Sequence, residues 1–130
     1  MKRRGSIRNQ RGQTMVEFTI VLPILLLLLL GILQFGVLFN NYITLTDAVR
    51  AGARQASVGR SVADPAGATV SRVRASAANL DQAKLAVSVV SPWTQGADVT
   101  VTATYPYSIK LLGMVVSTGS LTSKSTERVE

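Results

Sequence analysis

The feature that most constrains this chain is a run of 22 uncharged, mostly apolar residues, 18–39, which begins directly after Glu17. A helix of that length spans about 33 Å, close to the ~30 Å hydrocarbon thickness of a bilayer. The run therefore predicts a single transmembrane helix. Its named positions are Phe18, Pro23, Gly31, Gln34, Phe35, Gly36 and Phe39.

The charges beside this run predict its orientation. Residues 1–16 carry five basic side chains and no acidic one, whereas residues 40–69 carry both signs. The positive-inside rule then places the N-terminus in the cytoplasm and the rest of the chain outside. A cleaved secretory signal is the alternative, but its apolar region is usually 7–15 residues long and a cleavage site follows promptly. The small residues 51–53 lie 12 positions beyond the run, inside a helical pattern.

Composition excludes several functions. The net charge of +7 falls to +2 without residues 1–12, so the basicity indicates topology and no nucleic-acid partner. The chain has no cysteine and no histidine, which removes disulfides, thiolate chemistry and the commonest general base. Four aspartates, at positions 47, 64, 81 and 98, have no base or metal partner nearby in the sequence. We therefore expect no enzyme, no metal site and no cofactor.

Periodicity predicts that the helix continues beyond the membrane, from about residue 14 to 58. Small apolar residues recur at helical spacing on one face, while Arg50 and Arg54 share another face that we expect to be solvated. The small-residue face comprises Leu45, Ala48, Val49, Gly52, Ala53 and Ala56. A second helix is predicted from Pro65 to about Asn79, with Asp64 as its N-cap. Its inward residues are Val70, Val73, Ala77 and Leu80.

After Asp81 the apolar period changes from helical to two, which predicts strands. Alternation over 85–89 and 99–105 indicates a hairpin whose turn is residues 92–96, and Pro106 is expected to end the second strand. Residues 121–129 predict a third strand, and we favour an exposed edge strand over a flexible segment for the Ser/Thr-rich residues 117–126. The apolar stretch 109–116 is assigned to core or loop packing, with a subunit interface as the minority interpretation.

These elements predict an α+β fold, in which a long N-terminal helix with a transmembrane first half packs on a small antiparallel sheet, with one further short helix. We divide the chain into a leader (1–12), a transmembrane helix (13–39), an extracytoplasmic continuation of that helix (40–60) and a small α+β domain (61–130). With about 91 residues beyond the run, this domain buries only a modest core. Packing into an assembly would compensate for the small buried core.

Three features together, Gly12, Glu17 and the apolar run, resemble the class III signal of type IV pilins. Residues 12–18, Pro23, the leucine run, Phe35-Gly36 and residues 48–54 resemble more narrowly the TadE-like family of minor pseudopilins in tight-adherence (Tad, Flp) pilus systems. Gln34 departs from the family, in which an acidic residue often precedes Phe-Gly. A charge-dependent role at that position is therefore not expected here.

The resemblance implies cleavage between Gly12 and Gln13 by a membrane-embedded prepilin peptidase, on the cytoplasmic side of a bacterial inner membrane. It implies other Tad pilins and pseudopilins and the inner-membrane assembly platform as partners, besides the lipid bilayer. Glu17 and Phe18 then form the subunit assembly site, because a carboxylate at the edge of an apolar helix needs an opposite charge, such as a neighbour's new α-amino group.

Two other interpretations stay open. Glu17 would merely mark the membrane boundary if its side chain reached the headgroups. The whole chain would be a permanently anchored extracytoplasmic binding module if it never entered a pilus. Pro23 need only kink the helix, and Gly31 and Gly36 lack the four-residue spacing of a tight helix dimer.

Overall fold

The computed structural model describes the backbone of residues 7–130 and the side chains from Gly12 onward. Most of the predicted basic leader lies outside the described residues: Lys2, Arg3 and Arg4 entirely, and Arg8 and Arg11 in their side chains. The described chain forms two helices and a three-stranded antiparallel sheet. This is the predicted α+β class, with the long apolar helix first.

The first helix, α1 (Ile7–Val58), is continuous over 52 residues, or about 78 Å. It runs without a break from the apolar run into the small-residue face, as predicted, and it continues through Pro23. It begins seven residues earlier than the predicted start near residue 14. No proline lies between Ile7 and Pro23 to end the hydrogen-bonded pattern, so the helix extends through Gly12.

The second helix, α2 (Pro65–Ser76), starts where predicted. The backbone N–H of Gly67 donates to Oδ1 of Asp64 at 2.9 Å, and Pro65 occupies the first turn. A Cβ on Gly67 would overlap the Asp64 carboxylate as it is placed here, so a side chain at position 67 would have to displace the capping group. The helix ends three residues before the predicted Asn79.

One predicted inward residue of α2 is wrong. Val73, Ala77 and Leu80 are buried, but Val70 is only half-buried, and Thr69 is fully buried instead. Thr69 tolerates burial because its hydroxyl donates to the carbonyl of Pro65 at 2.8 Å, which satisfies the polar atom within the helix.

The sheet consists of β1 (Ala86–Val90), β2 (Asp98–Leu111) and β3 (Met114–Arg128), in that order and antiparallel throughout. The predicted β1–β2 hairpin is present, with its turn containing Trp93 and Gly96, both at positive φ. β3 lies at the edge of the sheet, as the Ser/Thr-rich stretch predicted, but it begins at Met114 and not at Leu121.

The prediction that Pro106 ends β2 is wrong, because β2 continues to Leu111 with Pro106 opposite Ser120. The reason lies in the lengths of the strands. β1 pairs with β2 only as far as Thr104, so beyond that residue β2 has a neighbour on one side alone. Proline is tolerated where a strand has an open edge that needs no donor.

The core lies between the sheet and the second half of α1. All six residues of the predicted small-residue face are buried, and they pack with α2 and with alternate residues of β2. Leu85 before β1 and Val129 after β3 complete the core. The N–H of Glu130 donates to the carbonyl of Ser57 at 2.9 Å, which ties the end of the chain to the end of α1.

Candidate membrane and assembly segment

The first half of α1 stands apart from the folded domain. None of the most apolar 18-residue window of this helix is buried, and its large side chains are openly exposed, Phe18 by 61% and Phe35 by 65%. A core helix of a soluble domain would bury such a segment. Among the described residues, α1 is the one helix long and apolar enough to cross a membrane, and it fits a membrane anchor.

Gly12 and Gln13, the predicted cleavage site, lie on α1 near its start and are exposed. A Cβ added at Gly12 would meet no atom within 4 Å. Position 12 therefore has room for a side chain within the described part of the chain.

Glu17 and Gln13 lie one turn apart on the same face of α1. Nε2 of Gln13 donates to Oε1 of Glu17 at 3.1 Å, and both side chains are exposed. Within the part of the chain that the structure describes, no basic side chain forms an ion pair with Glu17. The carboxylate thus stands at the edge of the apolar segment with a neutral amide as its hydrogen-bond partner.

The structure gives Gln34 a contact that sequence reasoning missed. Its Nε2 donates to the carbonyl of Lys110 at 3.2 Å, across 76 positions of the sequence. The β2–β3 hairpin therefore reaches down α1 into the apolar run. A small groove between helix and hairpin is lined by Gln34, Val37, Leu38, Asn41, Tyr107, Ser108 and Ile109.

Several residues of α1 on either side of Gln34 are partly buried. Leu30, Gln34, Leu38 and Asn41 are less exposed than most of their neighbours and recur at intervals of three or four residues. The same face continues into the buried Leu45. One face of the helix thus runs from the core of the domain into the apolar run.

The assignment of residues 109–116 to core or loop packing is wrong for most of the stretch. Leu112, Met114, Val115 and Val116 are 56–69% exposed. They lie at the end of a hairpin that projects beyond β1, where no second layer covers them. Because Pro106 was expected to end β2, the extension of the hairpin was not predicted from the sequence. A run of apolar residues around Leu112-Gly113 was the available signal.

The aspartates at positions 47, 64 and 81 of the described chain lie in separate exposed pairs and caps. Asp64 caps α2, Asp81 lies 3.6 Å from Lys84, and Asp47 lies 4.0 Å from Arg50, all at exposed positions. No group of three or more acidic residues in residues 12–130 is placed to hold a metal ion. Arg50 and Arg54 are exposed, as expected of a solvated helix face.

Fold and segment together define a class: a small α+β domain carried on a helix that continues into a membrane anchor. Residues 12–54 match the family model described as TadE-like protein. This match agrees with the resemblance seen in the sequence. It covers less than half of the chain, and it includes the predicted cleavage site, the apolar run and most of the small-residue face. Comparison with curated proteins and with solved structures gives no match.

Proposed function

We propose that this protein is a non-enzymatic, single-pass minor pilin-like subunit of a Tad pilus, processed between Gly12 and Gln13 at the bacterial inner membrane. The observation that carries the proposal is the continuity of α1. One helix bears Glu17 at the edge of an exposed apolar segment and ends within the core of a folded domain. Its partners are then a prepilin peptidase, other Tad pilins and pseudopilins, and the assembly platform.

A continuous helix suits a subunit that must leave the bilayer as one piece. Residues 18–29 of the apolar run are all exposed, so they are free to pack against the corresponding helices of neighbours. The second half of the same helix packs in the domain core. Movement of the apolar segment would therefore move the domain as well. This mechanical connection would serve both insertion in the membrane and transfer to a filament.

The buried part of α1 argues against the alternative of a cleaved secretory signal. Gly52 and Ala53 are buried under α2 and the sheet. A cut at residues 51–53 would divide the helix in the middle of the core and remove Leu45 and Val49 from it. Cleavage after Gly12, in contrast, leaves every buried residue of the domain in place.

Glu17 would direct assembly through its charge. Cleavage after Gly12 creates an α-amino group on Gln13, and in a bundle of apolar helices a carboxylate requires such a partner. Removing one member of a buried ion pair strands the other, which destabilises by about 3–5 kcal/mol. Among the described side chains the carboxylate is hydrogen-bonded to the Gln13 amide, and cleavage and assembly would supply its ionic partner.

The test is Glu17→Gln in peptidase-positive cells, with Glu127→Gln on the exposed edge of β3 as the control carboxylate. We expect both variants to insert and to be cleaved. Only Glu17→Gln should lose co-purification with pilin partners and lower the number of pili. Equal partner recovery and pilation in both variants would contradict the assembly role of Glu17 and favour the interpretation that this residue only marks the membrane boundary.

A further inference from the structure

The β2–β3 hairpin runs along α1 from the core of the domain toward the membrane. At its upper end the chain after β3 contacts Ser57 through the Glu130 N–H, and at its lower end Lys110 contacts Gln34. These two helix positions are 23 residues apart, or about 35 Å along α1. The hairpin therefore lies along the helix. Its end nearest the membrane is formed by residues 111–116, which we call the hairpin tip.

The hairpin tip is apolar and strained. Its turn is Leu112-Gly113, with φ of 51° and 82°, between the paired Leu111 and Met114. A two-residue turn with positive φ at both positions favours Asn-Gly, and a branched side chain such as leucine is unusual there. Such strain persists where a function requires the side chain. Here the strained residue exposes 68% of its surface.

The depth of the tip follows from Gln34. This residue lies five positions inside the end of the apolar run at Phe39, which is about 7.5 Å along the helix. An amphipathic element that lies in the membrane interface buries its apolar face about 5–10 Å into the boundary between headgroups and acyl chains. The hairpin tip is therefore level with the outer part of the membrane that α1 would cross.

We propose that the hairpin tip inserts into the outer leaflet of the bilayer and forms a second membrane contact beside α1. The inference rests on the proposed membrane-spanning role of α1 and is independent of the pilus role. Lipid is the occupant because the tip lies at the depth of the apolar run and exposes Leu112, Met114, Val115 and Val116. The exposed Lys110 stands just above them, where its ammonium group would reach lipid phosphates.

One hydrogen bond joins the hairpin to α1 just above the tip. The backbone groups on the unpaired edges of the hairpin need donors and acceptors, which water and headgroups supply at the membrane interface and the hydrocarbon core does not. Gln34 supplies a donor on the helix side, to the Lys110 carbonyl. This explains a polar amide within the apolar run. Contact with lipid at two places would fix the depth and rotation of α1 before assembly.

The test uses the absence of cysteine, which makes single-cysteine labelling specific. The full chain is reconstituted at low protein density in phosphatidylcholine vesicles and labelled with an environment-sensitive fluorophore at Leu112→Cys. Phe35→Cys on α1 is the lipid control, and Ala75→Cys on the exposed surface of α2 is the water control. Quenching is measured with lipids that carry a spin label near the headgroup and with aqueous iodide.

We expect the label at position 112 to resemble that at 35, with strong quenching by the labelled lipid and at least a threefold protection from iodide relative to position 75. Quenching by iodide at 112 as strong as at 75, with position 35 still in lipid, would overturn the insertion and leave the membrane helix intact. Protection at 112 without lipid quenching would also overturn it, because a protein contact would then cover the tip. Strong quenching by iodide at position 35 would overturn both the insertion of the hairpin tip and the membrane-spanning role of α1.

Discussion

Gly52 lies where α1 packs against Val73 of α2, and its replacement by alanine tests how the domain is held on the helix. A Cβ at this position would overlap Cγ2 of Val73 and lie 3.6 Å from Cγ1 of Val101 and 3.7 Å from Cγ2 of Thr69. All three neighbours are fully buried. Val73 therefore has no solvent to move into, and relief requires α2 to shift away from α1.

Two effects of opposite sign determine how much Gly52→Ala changes the free energy of unfolding. Alanine in a helix interior is favoured over glycine by about 1 kcal/mol. Overpacking a well-packed core costs about 1–3 kcal/mol. Because the overlap is with a confined side chain, we expect the second effect to win. Gly52→Ala should lower the free energy of unfolding by up to about 2 kcal/mol.

The assay is denaturant unfolding of the full chain in detergent, followed by the fluorescence of Trp93, the only tryptophan, which packs against the core. Gly36→Ala is the control, because its Cβ would meet nothing within 4 Å. In a Val73→Ala background the overlap disappears, and Gly52→Ala should no longer destabilise. If Gly52→Ala instead stabilised both backgrounds by about 1 kcal/mol, helix propensity alone would account for it and the close contact would be refuted.

Two further predictions concern processing and topology. Gly12→Leu should leave residues 1–12 attached in peptidase-positive cells, because a bulky side chain blocks close approach of the protease to the backbone; intact-mass measurement decides this, and a mature chain of unchanged mass would contradict it. A reporter that is active only after export, fused after Glu130, should be active, because five basic residues hold the N-terminus in the cytoplasm. Activity of a cytoplasm-dependent reporter at the same position would reverse the topology.

Local signals in the sequence were sufficient for most of the architecture. The helical spacing of small residues after the apolar run predicted that α1 continues into the core, and all six residues of that face are buried. Asp64 followed by Pro65 predicted the start of α2, because capping depends on neighbours three residues apart. The alternation of apolar and polar residues in 85–89 and 99–105 predicted the first hairpin, because this signal also lies in neighbouring residues.

The features that sequence reasoning missed depend on distant partners. Pro106 is compatible with β2 only because β1 stops opposite Thr104, which is a property of the sheet and not of the residues around the proline. The contact of Gln34 with Lys110 joins positions 76 residues apart. The apolar tip was predicted to be core because its composition is that of a core, and only its place beyond the end of β1 shows that the described residues leave it exposed.

Mass spectrometry of filaments sheared from the cell surface, with the membrane fraction analysed in parallel, tests whether this chain enters a pilus after processing. We expect the sheared fraction to contain this chain with Gln13 as its first residue and with the apolar run and domain intact. Recovery of the chain only in the membrane fraction of piliated cells, or with residues 1–12 still attached, would contradict it.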